Sequence, residues 1–174
     1  MSGNYHVQFL GGKEAVKPLT YPVAKPPQFI SKEIDMEEEI IEIINRETRA
    51  WDTQNVELFL SIFHHDMVWP WPPSNLDHDP ITWDLFLGKF NYERWKTIYI
   101  NFFNENRLIH NNRKIEKIIL SKENDGAFAV VDIDTLWENK KLKSNLHWMG
   151  RVSKTYAKVN NEWRLIMHTG VLKY

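Results

Sequence analysis

The chain contains no cysteine, which excludes disulfides, thiol nucleophiles and thiolate metal sites together. It also lacks an excess of either charge, with 22 Lys and Arg against 23 Asp and Glu in 174 residues. Without a basic stripe or polybasic run there is no footprint for nucleic acid or for an anionic membrane surface, so neither is an expected partner. No stretch approaches the roughly 18 apolar residues of a membrane helix. The opening MSGNYHVQFLGGKEAVKP lacks the charged start and continuous apolar run of a secretion signal. A cytoplasmic protein is expected, and no motif calls for a cofactor or a metal.

What remains is a chain that is 43% hydrophobic and 13% aromatic, enough to bury one sizeable core. Residues 1–34 carry Pro18, Pro22, Pro26 and Pro27, a density that disfavours helix and favours extended backbone. The same stretch holds Val7, Phe9, Leu10, Leu19, Tyr21, Phe29 and Ile30, more apolar residues than a disordered linker tolerates. It is expected to strap the domain or a neighbouring subunit as a proline-containing arm, with the folded domain spanning residues 35–174.

From Asp35 the pattern turns helical. Asp35 and Glu38 have the spacing of a capping box, and Met36, Ile40, Ile43 or Ile44, Glu47 and Trp51 form a mostly apolar stripe. Glu37, Glu38 and Glu39 suit a solvated helix start. Asp52 to Asn55 breaks the pattern, Val56 to Phe63 predicts a second short helix, and Met67-Val68-Trp69 a short edge strand stopped by Pro70, Pro72 and Pro73. Ile81 to Asn106 has helical composition, with Gly88 and Asn91 predicting a bend.

The remainder reads as sheet. Arg113 to Leu120 predicts a strand. Ala127 to Trp137 alternates strictly, with Ala127, Ala129, Val131, Ile133, Thr135 and Trp137 on the face that packs against helices and Phe128, Val130, Asp132, Asp134 and Leu136 on the other. From Leu146 to Leu172 two further strands are joined by Asn160-Asn161, residues that tolerate the positive φ of a tight hairpin turn. The architecture is α+β: a curved antiparallel sheet of four long strands plus a short edge strand, wrapped by three or four N-terminal helices into a cone.

The element order, with WDTQNVELFLSIFHHDMVW as its helix-helix-strand opening and NEWRLIMHTG as its closing strand, resembles the nuclear-transport-factor-2-like superfamily. That cystatin-like cone is shared by ketosteroid isomerase, scytalone dehydratase, polyketide cyclases of the SnoaL type and the association domain of calmodulin-dependent kinase II. The resemblance covers about Asp35 to Leu172. It implies a cavity between sheet and helices that holds a small apolar or aromatic molecule, and homodimers formed through the outer sheet face. In ketosteroid isomerase the catalytic aspartate precedes a proline at the end of the first strand. Trp71 takes that place here, which disfavours carboxylate-driven isomerisation. No Asp-Arg-Asp set like that of the epoxide hydrolases of this fold can be matched.

Among candidate site residues, His64, His65 and Asp66 with His78 and Asp79 offer metal ligands but no defined geometry. Asp132 and Asp134 share a strand face, expected to be the outer one. His168 is the candidate proton-transfer group, since a histidine titrates near neutral pH. It is expected to share the alternation Arg164, Ile166, His168, Gly170 and to line the cone, unless a bulge turns it away. A core histidine satisfied by a backbone carbonyl is the competing reading. Trp51, Trp71, Tyr92, Trp95 and Tyr99 are its candidate ligand-binding neighbours. The functional readings are a lyase or isomerase using histidine acid–base chemistry, or a non-catalytic ligand-binding or oligomerisation domain.

Overall fold

The computed structural model describes the backbone of residues 29–173 and the side chains of residues 36–173. The expected arm therefore lies outside the described residues as far as position 28, and its last residues belong to a helix.

That helix, α1 (Phe29–Asp52), is 24 residues long and begins well before Asp35, so the Asp35–Glu38 spacing is not its cap. No proline or glycine separates Phe29 from Asp35, and nothing stops the helix from running back that far. Its buried stripe is Ile40, Ile43, Ile44, Glu47, Ala50 and Trp51, one face at helical spacing. Gln54 at φ +52 turns the chain. Asn55 then caps α2 (Val56–Leu60), its side chain accepting from the Leu58 amide at 2.9 Å.

The strand that follows, β1 (Phe63–Val68), begins earlier than expected and pairs in parallel with β5 (Glu162–His168). Between β1 and the next helix lies an irregular segment with one 3-10 turn at Pro80–Thr82, where a bent helix from Ile81 was expected. Its prolines and Gly88 (φ +62) leave helix only from Asn91, whose side chain caps α3 (Tyr92–Glu105). Trp95, Tyr99 and Phe103, four residues apart, form the buried face of α3.

The sheet continues with β2 (Asn106–Leu120), β3 (Gly126–Asn139) and β4 (Asn145–Val159), and its order is β1-β5-β4-β3-β2. It is thus a mixed sheet of five strands, antiparallel except at the β1 edge, covered on one face by three α-helices among the described residues. Asn160 and Asn161 have φ of +51 and +64 and close the β4–β5 hairpin as expected.

The register fixes which side chains meet inside. Across β2, β3 and β4 the inward rows are Leu108, Trp137, Leu146; then Asn111, Thr135, Trp148; then Arg113, Ile133, Gly150; then Ile115, Val131, Val152. The row Ile118, Ala129, Lys154 ends on β5 at His168. Ala127, Ala129, Val131, Thr135 and Trp137 are buried, as the alternation of β3 requires.

Candidate functional site

Helices and sheet enclose a cavity of about 220 Å³. Trp51 from α1, Tyr99 and Phe102 from α3, and Ile133, Thr135 and Trp137 from β3 form its walls, while Trp71, Pro72, Phe86 and Leu87 from the irregular segment stand at one side. This wall is largely apolar and aromatic, but besides Thr135 three ionisable side chains, Glu47, Arg113 and His168, also line it.

Those three groups belong to a buried charged set completed by Lys154. Glu47 is 1% exposed, Lys154 0% and His168 2%. One carboxylate oxygen of Glu47 accepts from Lys154 Nζ and the other from Arg113 at 3.3 Å. Burial alone would push the Glu47 carboxyl up, but the charges of Lys154 and Arg113 outweigh it and hold the pKa at about 2. Burial and the Arg113 charge pull Lys154 down to about 8 against the attraction of Glu47. Near neutral pH the set therefore holds two cations and one anion. Burial and the negative charge of Glu47 also push the hydroxyls of Tyr99 and Tyr156 well above their ordinary range, so both stay protonated.

His168 reaches the cavity by a route other than the expected one. Trp163 and Leu165 are the inward residues at the start of β5, and Arg164 and Ile166 are not buried. The pairing with β4 then shifts between Leu165 and Met167, so that Ile166 is the extra residue of a bulge. The bulge reverses the phase and brings His168 to the inner face. Arg164 and Ile166 do not share that face, which corrects the expected alternation.

The imidazole of His168 stacks on Trp69, ring centroids 3.9 Å apart, and its Nδ1 lies 2.6 Å from the Thr169 carbonyl oxygen. A carbonyl only accepts, so Nδ1 carries the proton and Nε2 is left with the lone pair. Burial first, and then the positive charge of Lys154, lower its pKa well below the ordinary histidine value. The ring is neutral at physiological pH.

Of the candidate ligand-binding residues, Trp51, Trp71 and Tyr99 line the cavity. Trp95 does not: it is fully buried in the core, ring against Phe63, Phe90 and Tyr99. Tyr92 is 41% exposed at the start of α3, with the Lys96 ammonium over its ring. Trp71 bridges to Asp84 and stacks on Trp69 at 4.4 Å. The position of the ketosteroid isomerase base is thus an indole, and Glu47 is the single carboxylate among the described lining residues. Gly170 also lines the cavity, and the close approach it permits is that of Trp83, whose ring would lie 2.7 Å from an added Cβ. His78 is held by the Val171 carbonyl at 2.9 Å, away from His64, His65 and Asp66, so the two histidine groups do not assemble.

Glu47, Arg113 and Lys154 were missed as a set. The available signal was a glutamate on the apolar stripe of α1 and a lysine at an inward position between Val152 and Tyr156, two opposite charges each out of place in its own element.

No protein-family profile and no curated protein matches the sequence. Solved structures do. A ketosteroid isomerase-like protein from Erwinia carotovora atroseptica superposes with a TM-score of 0.58 at 11% identity, covering 79% of this chain and 96% of that one. A protein from Novosphingobium aromaticivorans named for scytalone dehydratase gives 0.61 at 11% identity, covering 80% and 85%. An NTF2-like superfamily protein from Salmonella enterica gives 0.56 at 18% identity, covering 79% and 90%. At these identities the likeness shows the fold alone.

Proposed function

The chain has the nuclear-transport-factor-2-like fold, and on that premise we propose that its cone cavity binds a small, flat, largely apolar molecule bearing one anionic or strongly accepting group. The observation that carries this reading is the donor excess in an apolar wall. Two cations face one anion in the buried set, and Arg113 Nε, Trp51 Nε1, Trp71 Nε1 and the Tyr99 hydroxyl are buried without a hydrogen-bond partner. Each such donor costs about 1–3 kcal/mol while unpaired. A carboxylate, enolate or carbonyl oxygen of a ligand relieves that cost, and the aromatic walls take its apolar body.

One observation favours a catalytic role over simple binding. His168 is fixed neutral with Nε2 as its free basic atom, next to cations that stabilise a neighbouring negative charge. Removal of a proton from a ligand carbon by Nε2 leaves an enolate whose charge Arg113 and Lys154 offset, while the imidazolium formed is offset by Glu47 and the enolate. That is the first step of an isomerase or lyase, chemistry that fits the isomerase-like and dehydratase names among the structural neighbours. Both Glu47 oxygens are committed to Lys154 and Arg113, so Nε2 of His168 takes that part.

Trp51, Trp69 and Trp71 make intrinsic fluorescence a direct probe of the cavity. Titration with a series of aromatic carboxylates and their uncharged amides is expected to show saturable quenching by the acids, at least tenfold weaker with the amides and with Arg113→Met. Absence of saturable quenching in both series overturns the binding reading. For the catalytic reading, deuterium exchange at the acidic carbon of a bound keto acid is expected to be lost in His168→Gln; exchange at the wild-type rate in that variant leaves a binding protein.

A further inference from the structure

We propose that the outer face of the sheet carries a binding site for a first-row divalent metal ion, formed by His110, Asp134 and His147. The site is separate from the cavity. Asp134 lies between Ile133 and Thr135, two cavity-lining residues, and alternation sends its side chain through to the opposite face of β3.

Strand register builds the cluster. His110 on β2 and His147 on β4 both stand opposite Leu136 of β3, one from each side, and Asp134 is two residues back along the same face. The imidazoles lean over β3, and both Nε2 atoms reach the same carboxylate oxygen, His110 at 2.8 Å and His147 at 2.7 Å. The three potential ligand atoms all lie within 4.8 Å of one another. Around a tetrahedral ion with Zn–N bonds of ~2.0–2.1 Å, donor atoms are separated by roughly 3.3 Å. A small opening of the two rings therefore admits an ion between donors that three neighbouring strands already hold together.

The donor chemistry selects the ion. Two imidazoles with one carboxylate suit zinc, cobalt or nickel, whereas calcium and magnesium prefer all-oxygen sites. All three side chains are partly exposed, so water completes the coordination. His64, His65 and Asp66 form a second cluster of the same composition. They are consecutive residues of one short edge strand, however, and more exposed, with His65 and Asp66 paired to each other at 3.0 Å. His64 Nδ1 already accepts from the Asp66 amide at 3.2 Å, and the set is not spread over three paired strands. They serve as the internal control.

The test uses the full chain without an affinity tag, stripped with EDTA and dialysed. Calorimetric titration with zinc and visible absorption with cobalt are expected to show one ion per chain. Affinity is expected to fall at least tenfold in His110→Gln, His147→Gln and Asp134→Asn and to be unchanged in the double variant His64→Gln, His65→Gln. Zinc should also raise the melting temperature of the wild type and not that of His147→Gln, with circular dichroism confirming that each variant is folded. A wild type that takes up no ion, uptake that survives His110→Gln together with His147→Gln, or uptake lost in the His64, His65 double variant overturns the proposal.

Discussion

Lys154 on β4 and His168 on β5 stand directly opposite each other on the inner face of the sheet, a cation placed against the imidazole. The lysine is held there by Glu47 of α1; burial first, and then the lysine's charge, hold the His168 imidazole neutral, with Nε2 unprotonated. One ion pair thus joins helix to sheet beside the cavity histidine, and its lysine reinforces burial in favouring the neutral ring.

Glu47→Gln is the direct test of that arrangement. The substitution keeps the shape and removes the anion, leaving Lys154 and Arg113 buried without compensation, a change that costs about 3–5 kcal/mol. Urea unfolding at pH 7 is expected to show a loss of that size. Removing the lysine as well, in Glu47→Gln with Lys154→Met, should recover much of it because the unpaired charge goes too. A single variant within about 1 kcal/mol of wild type would mean that the set is far better hydrated than its burial implies.

Stability should fall steadily with acidification, and the sign follows from the same groups. The Glu47 pKa is lowered from its ordinary 4.5 to about 2, so its contribution is complete above pH ~4.5 and is lost as pH falls toward 2. The loss amounts to roughly 3 kcal/mol. His168 is lowered too, so below its ordinary pH range the unfolded chain takes up a proton that the folded chain refuses, which again removes stability. Lys154, lowered from 10.5 to about 8, adds stability as pH rises between those values. Urea midpoints at pH 9, 7, 5 and 3 are expected to decline in that order, and the step below pH 4.5 should be smaller in Glu47→Gln, the remainder coming from the other carboxylates held low by their partners, Asp132 and Asp134 among them.

The parts of the fold readable from sequence were those set by local pattern. The strict alternation of β3 and the Asn160-Asn161 turn each carry their geometry within a few residues, as does the apolar stripe of α1. The start of α1 was not readable, because the capping box at Asp35 imitates a beginning inside a segment with no breaker. The parallel pairing of β1 was hidden because it depends on a partner about 100 residues away, Phe63 opposite Leu165. His168 was placed on the correct face only because the bulge at Ile166 reversed an alternation that was itself in the wrong phase. The His110, Asp134, His147 cluster depends on register across three strands and on a shift in β2 between Leu108 and His110, none of which a single sequence displays.

Gly150 is expected to tolerate no side chain. Its φ is +146, and an added Cβ would lie 2.2 Å from the Leu172 carbonyl oxygen and 2.8 Å from Val171 Cγ1. There the segment after β5 returns across β4 and pairs Leu172 with Arg151 in both directions at 2.7 and 2.8 Å. Gly150→Ala must break that bridge or distort β4, at a cost of about 1–3 kcal/mol each for strain and overpacking. Thermal melts are expected to show the loss, and a melt coincident with wild type would show that the returning segment is not held as described.

The expected homodimer can be tested on the outer sheet face. Register brings Ile119, Phe128, Thr155 and Met167 into one outward row across β2, β3, β4 and β5, and Ile119, Phe128 and Met167 are exposed. The row exposes three large apolar side chains, with Thr155 between Phe128 and Met167, and exposed apolar surface of this kind is a candidate interface. The Asp132–Arg151 pair, bidentate at 2.6 and 2.8 Å, lies farther along the same face, and a charged pair with its partners already satisfied can be covered at little further cost. Two copies meeting through this row bury it against itself about a two-fold axis. Sedimentation equilibrium is expected to give a dimer at micromolar concentration, and Phe128→Asp, which sets like charges against each other at the centre of the row, is expected to give a monomer with an unchanged melting transition at low concentration. A wild type that sediments as a monomer removes this assembly, and a Phe128→Asp variant that remains a dimer moves it to another surface.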